Sequence, residues 1–118
     1  MAIDKSLISG STSMLLLNLL NEKEMYGYEM IEALEEKSQN VFSFKAGTLY
    51  PLLHGLENQS LVTSEEKLSQ TGRVRKYYRI TSKGKGILAD KKTEWDTFTM
   101  AVNRVMEGGA TNAKAYGY

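Results

Sequence analysis

Apolar residues crowd every side of the segment 9–23, where Met14, Leu15, Leu16, Leu17, Leu19 and Leu20 exceed a single helical stripe. A helix that is apolar nearly all round must be covered on several faces, by its own core alone or by a second chain as well. Residues 27–38 predict a second helix, with Tyr28, Met30, Ile31 and Leu34 inward and Glu29, Glu32, Glu35 and Glu36 outward. Its acidic residues lie partly near the N-terminus, where the helix dipole favours them.

A third helix is predicted over residues 47–60. Leu49, Leu52, Leu53 and Leu56 follow the i, i+3, i+4, i+7 pattern of a narrow buried stripe. Steps of about 100° per residue put Gly47, Tyr50, Pro51, His54 and Asn58 on the opposite side. A proline in mid-helix removes a backbone bond, so Pro51 fits best if Thr48 caps the helix and the proline falls in its first turn. An irregular start at residues 46–48 is the expectation.

Residues 61–67 and 73–80 alternate as strands, and the Ser-Gln-Thr-Gly stretch at 69–72 reads as the turn of a two-stranded hairpin. Val74, Lys76, Tyr78 and Ile80 share one face of the second strand; Arg73, Arg75, Tyr77 and Arg79 share the other. Thr81 then suits the N-cap of a last helix over 82–106. Leu88, Trp95 and Val102 recur every seven residues, as do Lys91, Phe98 and Val105, which is the pattern of a seam against another helix. At about 1.5 Å per residue that helix runs nearly 40 Å, too long for so small a domain to cover, and it calls for a partner. The tail, 108–118, is expected to be disordered.

With 118 residues and only one proline, the chain has no evident linker, repeat or low-complexity segment. The expected organisation is 1–80 as one domain, 81–107 as a dimerisation helix, then the tail. Zero cysteines exclude a disulfide scaffold, thiolate zinc sites and a cysteine nucleophile. The single histidine, His54, cannot build a metal site or a triad alone, and no glycine motif cradles a phosphate. Neither an enzyme nor a cofactor-binding protein is expected. No apolar run approaches the roughly 18 residues of a membrane span, and no signal-peptide pattern opens the chain, so a cytoplasmic location is expected.

The 15 basic and 14 acidic side chains nearly cancel, but unevenly along the chain. Residues 1–40 hold 3 basic and 7 acidic side chains, whereas residues 41–92 hold 10 basic and 4 acidic, a balance of +6. The basic block is dense at Arg73, Arg75, Lys76, Arg79, Lys83 and Lys85. Such clustering is the footprint of a polyanion partner, although on charge alone a solvated face weighs about equally.

The order helix, helix, helix, basic-tipped hairpin is that of a winged helix–turn–helix, mainly α with a small β-hairpin, here followed by a long C-terminal dimerisation helix. In that arrangement the third helix enters the major groove and the wing reaches the adjoining backbone or minor groove. The chain resembles the PadR family of bacterial transcription regulators in its short form. The matching stretches are Tyr26-Gly27-Tyr28-Glu29; Gly47-Thr48-Leu49-Tyr50-Pro51-Leu52-Leu53-His54; Leu56-Glu57 with Leu61-Val62; and Gly72-Arg73-Val74-Arg75-Lys76-Tyr77-Tyr78-Arg79-Ile80-Thr81. Their combined spacing is far more specific than any one of them. A MarR-like winged regulator fits these strings less well. Val74 and Gly55 depart from the family, which usually has a basic residue at the first position and often Arg at the second.

The resemblance implies a homodimer built from the last helix with help from the first, binding double-stranded DNA with an inverted-repeat operator and usually repressing. It also implies release by a small aromatic or drug-like effector, in a flat apolar pocket that a tryptophan matching Trp95 lines in some relatives. Candidate DNA contacts are Tyr26, Lys45, Thr48, Tyr50, His54, Arg73, Arg75 and Lys76. Thr48 either caps or contacts, Tyr50 either packs or contacts, and Tyr26 either donates its hydroxyl to a phosphate or staples the second helix. Leu88, Trp95, Phe98, Val102, Val105 and Met14 are candidates for the dimer and ligand interface; plain dimer packing explains Trp95 and Phe98 equally well. The alternative function is a winged-helix interaction module whose basic wing binds an acidic protein.

Overall fold

A computed structural model describes the backbone of residues 5–108 and the side-chain surroundings of residues 11–107. Its elements in order are α1 (Lys5–Glu22), β1 (Met25–Tyr26), α2 (Gly27–Lys37), α3 (Ala46–Asn58), β2 (Val62–Leu68), β3 (Val74–Ile80) and α4 (Ser82–Asn103). A wider five-residue π-type turn, Arg104–Gly108, closes the described chain. The expected disordered tail lies outside the described residues apart from the backbone of Gly108.

Two compact units divide the chain, the first ending at Leu88 and the second beginning at Ala89. The sequence pattern placed a boundary at 80/81. The division falls inside α4 instead, because Gly84, Leu88 and the half-buried Ile87 pack with the first unit.

In the first unit the core gathers around α1. Leu16, Leu17, Leu19 and Leu20 are all at most 2% exposed, and α1 packs on both α2 and β3. The all-round apolar character of α1 is therefore satisfied to a large extent within its own chain. Leu49, Leu53 and Leu56 of α3, Met30 and Leu34 of α2, and Tyr78, Ile80 and Leu88 complete the cluster. Tyr28 is a correction: the sequence pattern turned it inward, yet it is 52% exposed, and Met30 takes the fully buried place.

Local chemistry sets the helix ends. The Tyr26 backbone N–H donates to the Glu29 carboxylate at 3.1 Å, half of a capping box at the start of α2. At its other end Ser38 donates to the Leu34 carbonyl at 2.6 Å and accepts the Phe42 N–H at 2.9 Å. Gln39 and Asn40, both left-handed at φ 52° and 68°, then turn the chain toward α3.

The start of α3 differs from expectation. Lys45 is the N-cap, extended at φ −96° and ψ 157°, and its carbonyl accepts from the N–H groups of both Thr48 and Leu49 at 3.0 Å. Thr48 is thus the third helical residue rather than the cap, and Pro51 lies in the second turn. The carbonyl that Pro51 leaves without a helical donor is that of Gly47, which is exposed, so water can serve it.

The hairpin is part of a three-stranded antiparallel sheet of order β1-β3-β2, a correction to the two strands expected. Met25 and Tyr26 pair with Tyr78 and Tyr77, and β2 runs in register with β3 from Val62↔Ile80 to Leu68↔Val74. Two residues between helices carry no periodicity to announce a strand, which is why β1 escapes a sequence reading. Gly72, at φ +83°, supplies the left-handed position of the wing turn. Thr81 caps α4 as expected: its hydroxyl accepts the Gly84 N–H at 3.0 Å and donates to the Ser60 carbonyl at 2.7 Å.

Candidate nucleic-acid interface

The amphipathic division of α3 presents one face outward. Leu49 and Leu53 are fully buried, whereas Lys45, Thr48, Pro51, His54 and Asn58 are exposed. No acidic side chain stands on that outward face. Glu57 is turned toward β2, where the Ser64 hydroxyl donates to its carboxylate at 2.6 Å. Tyr50 leaves the exposed set. It is half-buried, and a Cβ added at Gly27 would stand 2.3 Å from its hydroxyl oxygen, so its ring is seated on the first turn of α2.

The cations of the wing fall into two groups. Lys67, which pairs with Arg75 across the hairpin, is held by the Glu24 carboxylate, and Arg79, nearer the root, lies 3.9 Å from Glu24 and 3.4 Å from Glu65. The Lys67 ammonium, bonded to Glu24, holds that carboxyl below the usual carboxylate range. Arg73, Arg75 and Lys76 form no ion pair with a carboxylate among the described residues. The Lys76 ammonium lies 5.7 Å from the Tyr78 ring centroid. Tyr78 itself is fully buried, and burial pushes its phenol above the ordinary value, with Glu57 and Tyr50 adding to the effect.

Tyr26 meets the wing through its ring. The ring stands edge-on to Tyr77, with centroids 5.4 Å apart and an interplanar angle of 80°. Arg75 lies over the same ring, 4.9 Å from its centroid. Glu24 and this ring cluster carry no signal in the sequence pattern. Their partners lie more than 40 residues away along the chain, and only the short strand β1 brings them together.

In the second unit, Trp95, Phe98, Val102 and Val105 are 42%, 58%, 41% and 75% exposed. They recur at the three-and-four spacing of a coiled-coil seam. The Trp95 and Phe98 ring centroids are 6.2 Å apart. An open apolar hollow of about 300 Å³ is lined by Phe98, Ala101, Val102, Val105 and Met106. Trp95 is not among its lining residues. Leu88, expected on the same seam, is 3% exposed and belongs to the core of the first unit, while Met14 is half-buried against that core.

Residues 16–90 match the family model described as the transcriptional regulator PadR-like family. The chain belongs to the PadR-like family of transcriptional regulators. The crystal structure of the PadR-like transcriptional regulator from Bacillus cereus strain ATCC 14579 matches with a TM-score of 0.78 at 29% identity, over 86% of this chain and 97% of its own. A PadR family regulator from Eggerthella lenta DSM 2243 matches with a TM-score of 0.75 at 33% identity, over 86% and 87% of the two chains. The uncharacterized protein X of Lysinibacillus sphaericus is 33% identical over 106 residues, 90% of this chain and 97% of its own.

PadR regulators are DNA-binding proteins rather than enzymes, which decides between the two functions open from sequence. The winged helix–turn–helix with its long last helix is the PadR fold. No helix among the described residues is long and apolar enough to cross a membrane.

Proposed function

We propose that this PadR-like regulator acts as a homodimeric repressor, with α3 reading the major groove and the wing tip gripping adjoining phosphates. The observation that carries the reading is the division of the wing's charge. Lys67 and Arg79 are matched by Glu24 and Glu65, while Arg73, Arg75 and Lys76 stay without carboxylate partners among the described residues. Unmatched cations are the ones that release counterions from a duplex on binding. On α3 the candidate groove contacts are Lys45, Thr48 and His54, all on the acid-free exposed face.

The exposed seam of Trp95, Phe98, Val102 and Val105 supports pairing through the last helices. In a dimer the two α3 helices would meet successive major grooves about 34–36 Å apart, on an inverted repeat. The apolar hollow beside Phe98 suits a planar aromatic effector. Such a ligand would release DNA only through different affinity for two dimer arrangements.

Footprinting on the DNA just upstream of the protein's own coding region tests the regulator, and anisotropy titrations over a salt series test the interface. Arg73→Ala combined with Arg75→Ala is expected to weaken binding to all sequences alike. The slope of log K against log salt should become shallower by about 0.9 for each phosphate left unneutralised. Sedimentation showing only single chains at working concentration, or unchanged affinity of the double variant, would overturn the proposal. Planar aromatic compounds are expected to quench Trp95 and loosen the DNA complex; an unresponsive emission across a broad panel removes the effector from it.

A further inference from the structure

We infer that Tyr26 is a positioning residue: its ring holds the Arg75 guanidinium in place before DNA arrives, and its hydroxyl is dispensable. The inference rests on the proposed phosphate-gripping role of the wing and deepens it. Two backbone contacts and one ring contact hold Tyr26: its backbone is paired with Tyr77 in the sheet, its N–H is held by Glu29 at 3.1 Å, and its ring packs at a steep angle against that of Tyr77, with centroids 5.4 Å apart. The face so immobilised carries Arg75 at 4.9 Å. The Arg75 Nε is buried with no hydrogen-bond partner among the described residues, so ring contact stands where a hydrogen bond would otherwise be expected.

An arginine at a wing tip normally samples many rotamers, and a phosphate contact must freeze them at a cost in affinity. Stacking on an aromatic face suits the planar guanidinium and leaves its charge unneutralised. A carboxylate would also hold the side chain, as Glu24 holds Lys67, but it would compete with the phosphate. Tyr26 orders the cation without that competition. The same contact ties the N-terminus of α2 to the wing, since Tyr26 is the N-cap of that helix.

The test is a double-mutant cycle in the full-length protein, read by anisotropy on a fluorescein-labelled random-sequence duplex over a salt series. Tyr26→Leu removes the ring but leaves every charge. It should weaken binding by about threefold to tenfold with the salt slope unchanged. Arg75→Ala should weaken binding and also flatten the slope, by about 0.9 for each phosphate it ceases to neutralise. The double variant should bind no more weakly than Arg75→Ala alone, because the ring acts only through the guanidinium. Tyr26→Phe should restore binding to within about twofold of the unaltered protein, since the ring face survives.

Arg75→Lys provides a second route that does not disturb the sheet. It keeps the charge and the slope, yet should lose affinity by a factor similar to Tyr26→Leu. Three results overturn the inference: affinity losses that multiply in the double variant, a Tyr26→Phe loss equal to that of Tyr26→Leu, or full affinity in Arg75→Lys. If Arg75→Ala itself leaves affinity and slope untouched, the wing reading fails along with it.

Discussion

Two glycines on one helix are expected to respond to the same substitution with opposite signs. Gly84 and Gly86 both lie in the first turns of α4, and each gains helix propensity on replacement by alanine, about 0.8–1 kcal/mol in a helix interior. Space separates them. A Cβ at Gly86 meets nothing within 4 Å, whereas one at Gly84 would stand 2.1 Å from the Leu61 carbonyl oxygen and 2.8 Å from Ile80 Cγ1. The first of these is backbone, held by the Thr81 N–H at 3.0 Å, and it cannot swing aside as a side chain would. To reach ordinary van der Waals distance, α4 must lift from the α3–β2 connection by about 1 Å, disturbing the Thr81 cap. Forced overpacking of this kind costs about 1–3 kcal/mol, and a clash with backbone belongs at or above the upper end.

After the propensity gain is subtracted, Gly84→Ala should destabilise by about 2 kcal/mol, while Gly86→Ala should stabilise by about 0.5–1 kcal/mol. Urea unfolding followed by circular dichroism, at one fixed protein concentration, reads both. The midpoint should fall by about 1 M for Gly84→Ala and rise slightly for Gly86→Ala. A Gly84→Ala midpoint equal to or above that of the unaltered protein would refute the close approach of α4 to Leu61. A fall for Gly86→Ala would refute the open surface assigned there.

Thr81→Ala removes an acceptor for the Gly84 N–H and a donor to the Ser60 carbonyl, and a loss of about 1–2 kcal/mol is expected by the same urea titration. Glu24→Gln tests the pairing with Lys67 through pH. The Glu24 carboxyl is held below its ordinary 4.5 by Lys67, so the folded state binds this proton more weakly than the unfolded state does. Its stabilisation is therefore complete above the unfolded value and is lost as pH falls through the folded one. Thermal melts from pH 6 to pH 3 should show a shallower acid-side decline for Glu24→Gln than for the unaltered protein; parallel declines would show that the pair contributes nothing.

Much of the architecture is legible in the order of residues. Those with local causes came through: the Leu49, Leu53 and Leu56 stripe follows helical spacing, Gly72 marks its turn, and Thr81 precedes the helix it caps. The alternation that put Tyr78 and Ile80 on one face and Tyr77 on the other also holds, with Tyr78 and Ile80 buried and Tyr77 half-buried, because strand faces follow from period two alone. Tyr28 failed for the converse reason. On a helix with apolar residues at 28, 30, 31 and 34, spacing permits several inward faces, and the position of α1 chooses among them. Leu88 failed likewise: a seven-residue repeat identifies a stripe but not where the covering surface ends.

The sequence by itself determined the winged helix–turn–helix order, the basic wing and the acid-free face of α3, since periodicity and charge act over a few residues and need no partner. Only the tertiary structure decided which cations are matched and which are not. Glu24 reaches Lys67 and Arg79, and Tyr26 reaches Arg75, across a two-residue strand that no local pattern announces. Pairing of charges depends on distance in space, and chain separation of more than 40 residues carries no information about that distance until the sheet closes.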